Sequence, residues 1–559
     1  MLYNEFVKVY DALAGTTKKL EKADILAGFL KKLKESKWIY LLRGRVTADY
    51  DERVFGISNQ LVIKAISRSS GESEKYVTGR FRKIGDLGEV AEELMGKKRQ
   101  STLFSGKLQT TKVFSNLQKL MIIEGKGSVD KKLALIAELL SNASGKEAKY
   151  IIRTLLNDLR VGVADAILRD GIVGAFFKKD DWKEMKEIVE EAYDKINDFA
   201  EIYDIASKGK KALTKLEVKP GRPIKVMLPV KVNELEEAFR ICGKPMAVEH
   251  KYDGFRVIIS NDGKKITLFT RRLDNVTKQF PDVVETVKKY VKGKNYVLDS
   301  EVVGYDFKTG KARPFEAISQ RIKRKYEVDR LIKELPVEIN VFDIIYYNGK
   351  SVLLDSFRKR RKLLERIVKP TKNKIRLSKQ FVSDNKKKIE KFYKDALKQG
   401  EEGIMLKNLN AVYRPGRRVG YIVKMKPVVN DLDLVITGAE YGTGKRAGGL
   451  TSYYVACKKN GEFVEIGRVS SGLKEKEGMG TTYKEMDKLL RPLIVKTDGR
   501  KVRVKPKIVV SVTYQNIQKS PGYSSGYAMR FPRITHYRPD RNTEDIADLK
   551  DIKMVSRDK

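Results

Sequence analysis

Two cysteines, Cys242 and Cys457, and two histidines, His250 and His536, are all that the 559 residues contain of either type. That leaves no disulfide framework, and no Cys/His spacing resembles a zinc site. No run of about 20 apolar residues is present, so no membrane span is expected. The first residues, Met1-Leu2-Tyr3-Asn4-Glu5-Phe6, lack the basic stretch and apolar run of a signal peptide. These absences predict a soluble, intracellular (cytoplasmic) protein without a membrane partner. Acidic residues are also in deficit: Asp plus Glu is 73 against 115 Lys plus Arg, a formal net charge of +42. A one-sided excess of cations points to a polyanionic partner. Nucleic acid fits best, because a basic face gains free energy from the counterions that phosphates release. Lys-rich surfaces also occur in thermophile proteins, where Glu usually balances them. Abundant Lys with sparse His points to a thermophilic archaeal source.

A chain of this length exceeds one hydrophobic core, so two to four domains are expected. Residues 1–215 read as helical. Apolar residues recur at three- and four-residue spacing in Ile25 to Leu30, in Leu133 to Leu140 and from Trp182 to Ala206. Lys219-Pro220-Gly221-Arg222-Pro223 marks an interdomain joint. Beyond it, Phe255 to Ile259 and Ile266 to Thr270 flank an Asn261-Asp262-Gly263 turn, a hairpin signal. Strands are expected at Tyr296 to Val303, Val337 to Tyr347, Gly403 to Lys407 and Tyr421 to Lys426, with a helix over Lys387 to Leu397. Residues 216–427 therefore read as an α+β domain on antiparallel sheets. The short strands and Gly-rich connections of residues 428–559 fit a small β-barrel, with an OB-fold ahead of a sandwich.

The segment with the most chemical content is Glu249-His250-Lys251-Tyr252-Asp253-Gly254-Phe255-Arg256. Taken alone, K-x-D-G can be a surface turn with Asp-Gly at its bend. Here the lysine lies between an apolar stretch (Pro245 to Val248) and the hairpin, where a sheet would hold it rigidly. A neutral amine attacks phosphorus well, and the P–N bond it forms can store a nucleotide and later release it. Free lysine is protonated below about pH 10.4. Neighbouring cations or a bound metal favour the neutral amine.

Further segments follow in order: Phe269-Thr270-Arg271-Arg272, Leu298-Asp299-Ser300-Glu301, Val341-Phe342-Asp343-Ile344-Ile345, Glu401-Glu402-Gly403-Ile404-Met405-Leu406-Lys407, Tyr421-Ile422-Val423-Lys424-Met425-Lys426 and Arg530-Phe531-Pro532-Arg533. With the lysine segment, this ordered series resembles the ATP-dependent DNA ligases of the archaeal and eukaryotic replicative type. Those belong with RNA ligases and capping enzymes among the lysine nucleotidyltransferases. Leu156-Asn157-Asp158-Leu159-Arg160-Val161-Gly162-Val163-Ala164-Asp165 resembles their helical DNA-binding domain. The resemblance implies nick sealing in duplex DNA during replication, recombination and repair, with ATP as AMP donor and Mg²⁺ or Mn²⁺ as metal. It also implies a monomer that acts on nicked double-stranded DNA, with a sliding clamp as partner.

By position, Lys251 resembles the residue that attacks the α-phosphate. Glu249 resembles the acceptor for the adenine amino group. Arg256 and Arg271 look like contacts to ribose and phosphate, and Phe342 like the aromatic stacked on adenine. Glu301 and Glu402 resemble the metal carboxylates, and Glu301 also a ribose contact. Two carboxylates suffice for Mg²⁺, which takes its other ligands from phosphate and water. Lys424 and Lys426 are expected to share one face of a strand near the α-phosphate. Arg418 matches another nucleotide or nick-phosphate position within the cation-rich Tyr413 to Arg418. Arg530 and Arg533 resemble the barrel-domain pair that orients pyrophosphate. Many relatives carry an aromatic where Ile422 stands, which alters packing and not charge. Rival readings are an RNA ligase or capping-type nucleotidyltransferase, and a non-catalytic DNA-binding relative. An NAD-dependent ligase is disfavoured by the absence of a cysteine-ligated zinc module.

Overall fold

The computed structural model describes every residue except 52, 98–106, 307–308, 310–311, 314–317, 319–320, 323–326, 418–419, 428–430, 443–445, 447, 476–480 and 558–559. The chain forms two compact units, Met1–Met425 and Lys426–Lys559.

The first unit begins with helices, from Tyr3–Ala14 to Lys210–Thr214. The apolar run at Leu133 to Leu140 lies in helix Ser128–Ser141 and buries Ile136, Ala137, Leu139 and Leu140. Ser144 starts the next helix with a capping box, its hydroxyl accepting from the Glu147 amide while the Glu147 carboxylate accepts from the Ser144 amide. The single period from Trp182 to Ala206 is in fact two helices, Trp182–Ile196 and Phe199–Ala206. Asn197 turns left-handed (φ 55°) to end the first, and the Asp198 carboxylate caps the second by accepting from the Ala200 and Glu201 amides. Tyr3, Phe6, Tyr10, Leu26, Ile151 and Ile172 belong to one core beneath these helices.

The rest of the first unit is built on two sheets. Its strands are β1 (Val230–Val232), β2 (Met246–Lys251), β3 (Phe255–Asn261), β4 (Ile266–Thr270), β5 (Tyr296–Tyr305), β6 (Ala312–Arg313), β7 (Val337–Tyr347), β8 (Lys350–Ser351), β9 (Ile375–Leu377), β10 (Gln380–Ser383), β11 (Gly403–Asn408) and β12 (Ile422–Met425). One sheet has the order β1-β12-β11-β2-β10. The other runs β4-β3-β5-β7-β8, with β6 on β5 and β9 on β7. All pairings are antiparallel except β1 with β12 and β7 with β9.

Strand alternation divides the residues of both sheets. On the first, Val248, Ile404, Leu406 and Val423 pack under helices Leu235–Cys242 and Lys386–Lys398. On the second, Val257, Ile259, Leu298 and Ile339 pack with Val283 and Val287 of helix Pro281–Tyr290 and with Leu364 and Ile367 of helix Phe357–Ile367. The opposite faces meet through a smaller cluster in which Ile258, Val297 and Ile345 contact Ile422 and Met405. The polar positions of the motifs lie on these inward faces.

The helices dock on the two-sheet region. Asn197 donates to the Pro223 carbonyl at 3.0 Å, and Lys225 meets Asp194 at 3.1 Å. Helix Trp182–Ile196 also holds the loop ahead of β12, through Glu191–Arg414 at 2.9 Å and Glu190–Arg417 at 3.3 Å. Gly416 is required there: its φ is 68°, and a Cβ would lie 2.3 Å from the Asp194 carboxylate.

The second unit is strand-rich, as expected for the C-terminal domain. Its strands are β13 (Leu432–Tyr441), β14 (Leu450–Lys459), β15 (Glu462–Val469), β16 (Ile494–Asp498), β17 (Lys501–Val504), β18 (Val509–Thr513), β19 (Asn516–Lys519), β20 (Tyr527–Arg530) and β21 (Arg533–Tyr537). The long β13 pairs with β18 over its first half and with β17 over its second, and β14 spans its other edge. One core gathers Leu434, Val455, Ile466, Val510 and Ile534, and helix Tyr483–Leu490 adds Met486 and Leu490.

Candidate active site

β2 brings Glu249 and Lys251 to the inward face of the first sheet, and His250 to the outward one. His250 packs against Phe392, its Nδ1 3.9 Å from Glu401. Lys251 is the last residue of β2, and Tyr252-Asp253-Gly254 carries the chain into β3 of the other sheet. The glycine is dictated by packing: a Cβ on Gly254 would lie 2.4 Å from the Val302 carbonyl and 3.1 Å from the Glu301 side chain. Three residues thus cross from one sheet to the other at a fixed close contact, and the lysine stands at the crossing.

Three cation–carboxylate pairs line the cleft. The Lys251 ammonium lies 2.8 Å from Glu402, whose own amide donates to the Lys251 carbonyl at 2.9 Å. Glu249 and Lys407 form an ion pair at 2.8 Å, the two side chains 2% and 3% exposed, so this charge is held almost out of water. Gln380, opposite Glu249 in the β10 register, donates to the other carboxylate oxygen at 2.6 Å. Arg256 grips the fully buried Asp299 with two nitrogens at 2.8 and 2.5 Å, and donates to the Met227 carbonyl at 2.9 Å. The Tyr413 hydroxyl donates to the same Asp299 at 2.7 Å and accepts from the Met227 amide.

Glu301 faces Arg256 across β3 and Asn340 across β7. Burial is the main cause that pushes its carboxyl up to about 7. Lys251 and Arg256 oppose that rise, and the negative Glu402 and Asp299 add to it. Two carboxylates that disfavour each other's charge suit a divalent cation. Among the described residues no group of three or more metal-ligating side chains exists. Glu301 and Glu402 thus fit Mg²⁺ only in the form that takes its other oxygens from phosphate and water.

Phe342 is the extra residue where the β5–β7 register shifts between Asp299 and Ser300, a β-bulge. It is half-buried and belongs to no apolar cluster among the described residues. Its ring lies 4.7 Å from the Lys407 ammonium and 5.3 Å from the Arg256 guanidinium. The bulge turns an aromatic out of the core and into a polar cleft.

The structure brings Glu249, Lys251, Arg256, Glu301, Phe342 and Glu402 together. Arg271 is exposed in the turn after β4, one position past the Val257–Thr270 pair. Lys424 lies on β12 opposite Met405. The expectation that Lys426 shares its face on the same strand is corrected: β12 ends at Met425, and Lys426 belongs to the second unit. Pro427 follows directly and has no amide to continue the ladder. Arg418 falls outside the described residues. Arg530 ends β20 and Arg533 begins β21 in the second unit, around an exposed Phe531 of φ 49°.

The sequence reading missed four members of the site: Asp299, Lys407, Gln380 and Tyr413. Asp299 and Lys407 stood inside quoted motifs at alternating, same-face positions, a signal that was available. Gln380 lies on a four-residue strand with no such mark.

Two sheets enclosing a lysine among paired carboxylates and cations make the middle region a nucleotidyltransferase-type domain. Three family matches narrow this: "DNA ligase N terminus" over residues 2–173, "ATP dependent DNA ligase domain" over 226–426, and "ATP dependent DNA ligase C terminal region" over 446–541. A DNA ligase of Nanoarchaeum equitans is 44% identical, covering 99% of this chain and 98% of its own. One of Thermococcus onnurineus is 39% identical over the same shares. The solved structure named Pmar-Lig_Pre has the same fold, with a TM-score of 0.57 at 16% identity, covering 95% of this chain and 99% of its own. The chain belongs to the ATP-dependent DNA ligases, and its activity is that of an ATP-dependent DNA ligase. No helix among the described residues is long and apolar enough to cross a membrane.

Proposed function

We propose that the chain seals nicks in duplex DNA through AMP carried on Lys251. The observation behind this is the Lys251 ammonium, held 2.8 Å from Glu402 in a cleft that also contains Glu301. The Lys251 nitrogen must first lose a proton to solvent, which leaves Glu402 ionised. Its lone pair then forms a bond to the α-phosphorus of ATP. The α–β P–O bond breaks, and pyrophosphate leaves with the electron pair. Lys424 offsets charge that develops on the α-phosphate. Arg530 and Arg533 orient the departing pyrophosphate, and Arg271, Arg418 and Lys426 serve as further phosphate contacts. Glu249 accepts from the adenine amino group, and Phe342 stacks on the ring.

In the second step an oxygen of the 5′-phosphate at the nick attacks the stored AMP. The P–N bond breaks, and the electron pair returns to Lys251, which regains a proton. The 3′-hydroxyl then attacks the activated 5′-phosphate, loses its proton, and AMP departs. Glu301 and Glu402 would hold Mg²⁺ or Mn²⁺, which would neutralise charge on the phosphate oxygens. The proposed working form is a monomer on nicked double-stranded DNA, with a sliding clamp as partner, in replication, recombination and repair. The basic excess of +42 supports a duplex substrate.

Lys251→Ala is expected to abolish label transfer from α-labelled ATP to protein, while binding of nicked duplex persists. A variant that still takes up label overturns the assignment. Sealing of RNA ends in preference to nicked DNA would overturn the substrate.

A further inference from the structure

The ATP-dependent reaction requires the site to tell adenine from guanine, and the buried trio around Glu249 supplies the means. Glu249 is 2% exposed, and each of its oxygens has a neighbouring cation or donor: Lys407 at 2.8 Å on one, Gln380 at 2.6 Å on the other. Lys407 comes from β11, diagonal to Glu249. Its ammonium lies between the Phe342 and Phe357 rings, 4.7 and 4.6 Å from their centroids. It therefore joins the first sheet to the bulged aromatic of the second.

A carboxylate taken out of water needs compensating charge and donors, or it tends to gain a proton and become a donor itself. An ionised carboxylate only accepts hydrogen bonds, and each oxygen retains lone-pair capacity beyond one partner. Such a group rewards a base that offers an amino group at its edge and repels one that offers a carbonyl oxygen.

We propose that Lys407 and Gln380 are the positioning residues that make this site selective for a 6-aminopurine nucleotide. They fix Glu249 as an acceptor-only carboxylate beside Phe342. Lys407 touches no reacting atom; it acts through Glu249 and through the ring it flanks. This inference rests on Glu249 meeting the base edge, as set out under the proposed function.

The test uses the full chain and compares label transfer from α-labelled ATP and α-labelled GTP. Lys407→Met and Gln380→Leu are expected to lower the ATP-over-GTP preference about tenfold or more, since an unmatched buried polar group is what enforces such discrimination. The loss should fall on KM for ATP more than on the rate at saturation. Lys407→Arg keeps the charge and should restore most of the preference. Lys407→Gln, polar but uncharged, should lower the preference as Lys407→Met does, and keeps the test valid should Lys407→Met fold poorly. Unchanged preference in both Lys407→Gln and Gln380→Leu, with Lys407→Met either unchanged or unfolded, overturns the proposal. Glu249→Gln separates the two levels. If it erodes the preference while the Lys407 and Gln380 variants do not, only the present inference fails. If Glu249→Gln leaves the preference intact, the assignment of Glu249 to the base edge fails as well.

Discussion

The two-sheet cleft and the Arg530–Arg533 turn of the second unit handle charge in opposite ways. In the cleft, Arg256 and Asp299, Lys407 and Glu249, and Lys251 and Glu402 are matched pairs; Lys407 and Glu249 are nearly free of water contact, and Asp299 is fully buried. In the turn, Arg533 is exposed, and Phe531 is 65% exposed in a left-handed backbone conformation that aromatic residues rarely adopt. A pair buried without solvent is rigid, because removing either member strands the other. An exposed arginine costs little to lose and is available to an incoming phosphate. The first arrangement fixes geometry in advance, and the second leaves the exposed Arg533 open to a ligand.

Breaking that comparison at its strongest point means removing one member of the buried pair. Asp299→Asn leaves Arg256 without its counter-charge and is expected to cost about 3–5 kcal/mol of stability. Arg533→Ala should alter stability by no more than about 0.5 kcal/mol while slowing adenylation. Thermal denaturation set beside label transfer measures both, and equal destabilisation by the two substitutions would erase the distinction.

Next in size is the acid response of the joint between helices and sheets. Burial is the chief cause that raises Asp194 from 3.8 to about 6, against the pull of Lys225. A carboxyl that holds its proton more tightly in the folded chain favours folding at low pH. Its contribution is full below 3.8 and is lost as pH climbs towards about 6. Asp194→Asn stays neutral throughout. It should therefore gain stability relative to the parent as pH rises through that window, by roughly 3 kcal/mol at most. Melting curves at about pH 4 and about pH 7.5 would show the difference, and a constant offset between the chains would count against it.

Gly254→Ala places a methyl group against the Val302 carbonyl and is expected to cost about 1–3 kcal/mol. It should also slow adenylation by displacing the link that carries Lys251. A melting curve and a label-transfer rate from the same preparation decide this. Smallest of all is Arg414→Ala. Its pair with Glu191 is 40% and 43% exposed, so solvent and salt screen it and the loss should stay below about 1 kcal/mol, fading further in high salt.

Much of the site was legible because strand alternation is a local rule. Glu249 and Lys251, or Asp299 and Glu301, lie two apart, and a strand sends such residues to one face. The Asn261-Asp262-Gly263 turn likewise announced its hairpin, and the motif order announced the sequence of strands. Other features depend on distant partners. The helix break at Asn197 is hidden within a continuous apolar period. The motif position of Phe342 suggested an aromatic against adenine, but only the pairing of β7 with β5 makes it the bulged residue. β12 stops at Met425, one residue before Lys426, and alternation alone did not mark that end.

The amino-acid sequence by itself determined the division into helical, two-sheet and strand-rich regions, the basic surface charge, and the lysine set beside carboxylates and cations. These follow from composition and from periods of two and about 3.6 residues, which act between near neighbours. Tertiary structure alone decided which charges are paired. Lys407 meets Glu249, Arg256 meets Asp299, and helix Trp182–Ile196 clasps the loop before β12. Those contacts join residues 43 to 223 positions apart, and no local pattern encodes a distance of that kind. They arise because two sheets, each with its outer face already covered, bring together inner faces that mix apolar residues such as Ile258, Val297 and Ile345 with the charged motif positions.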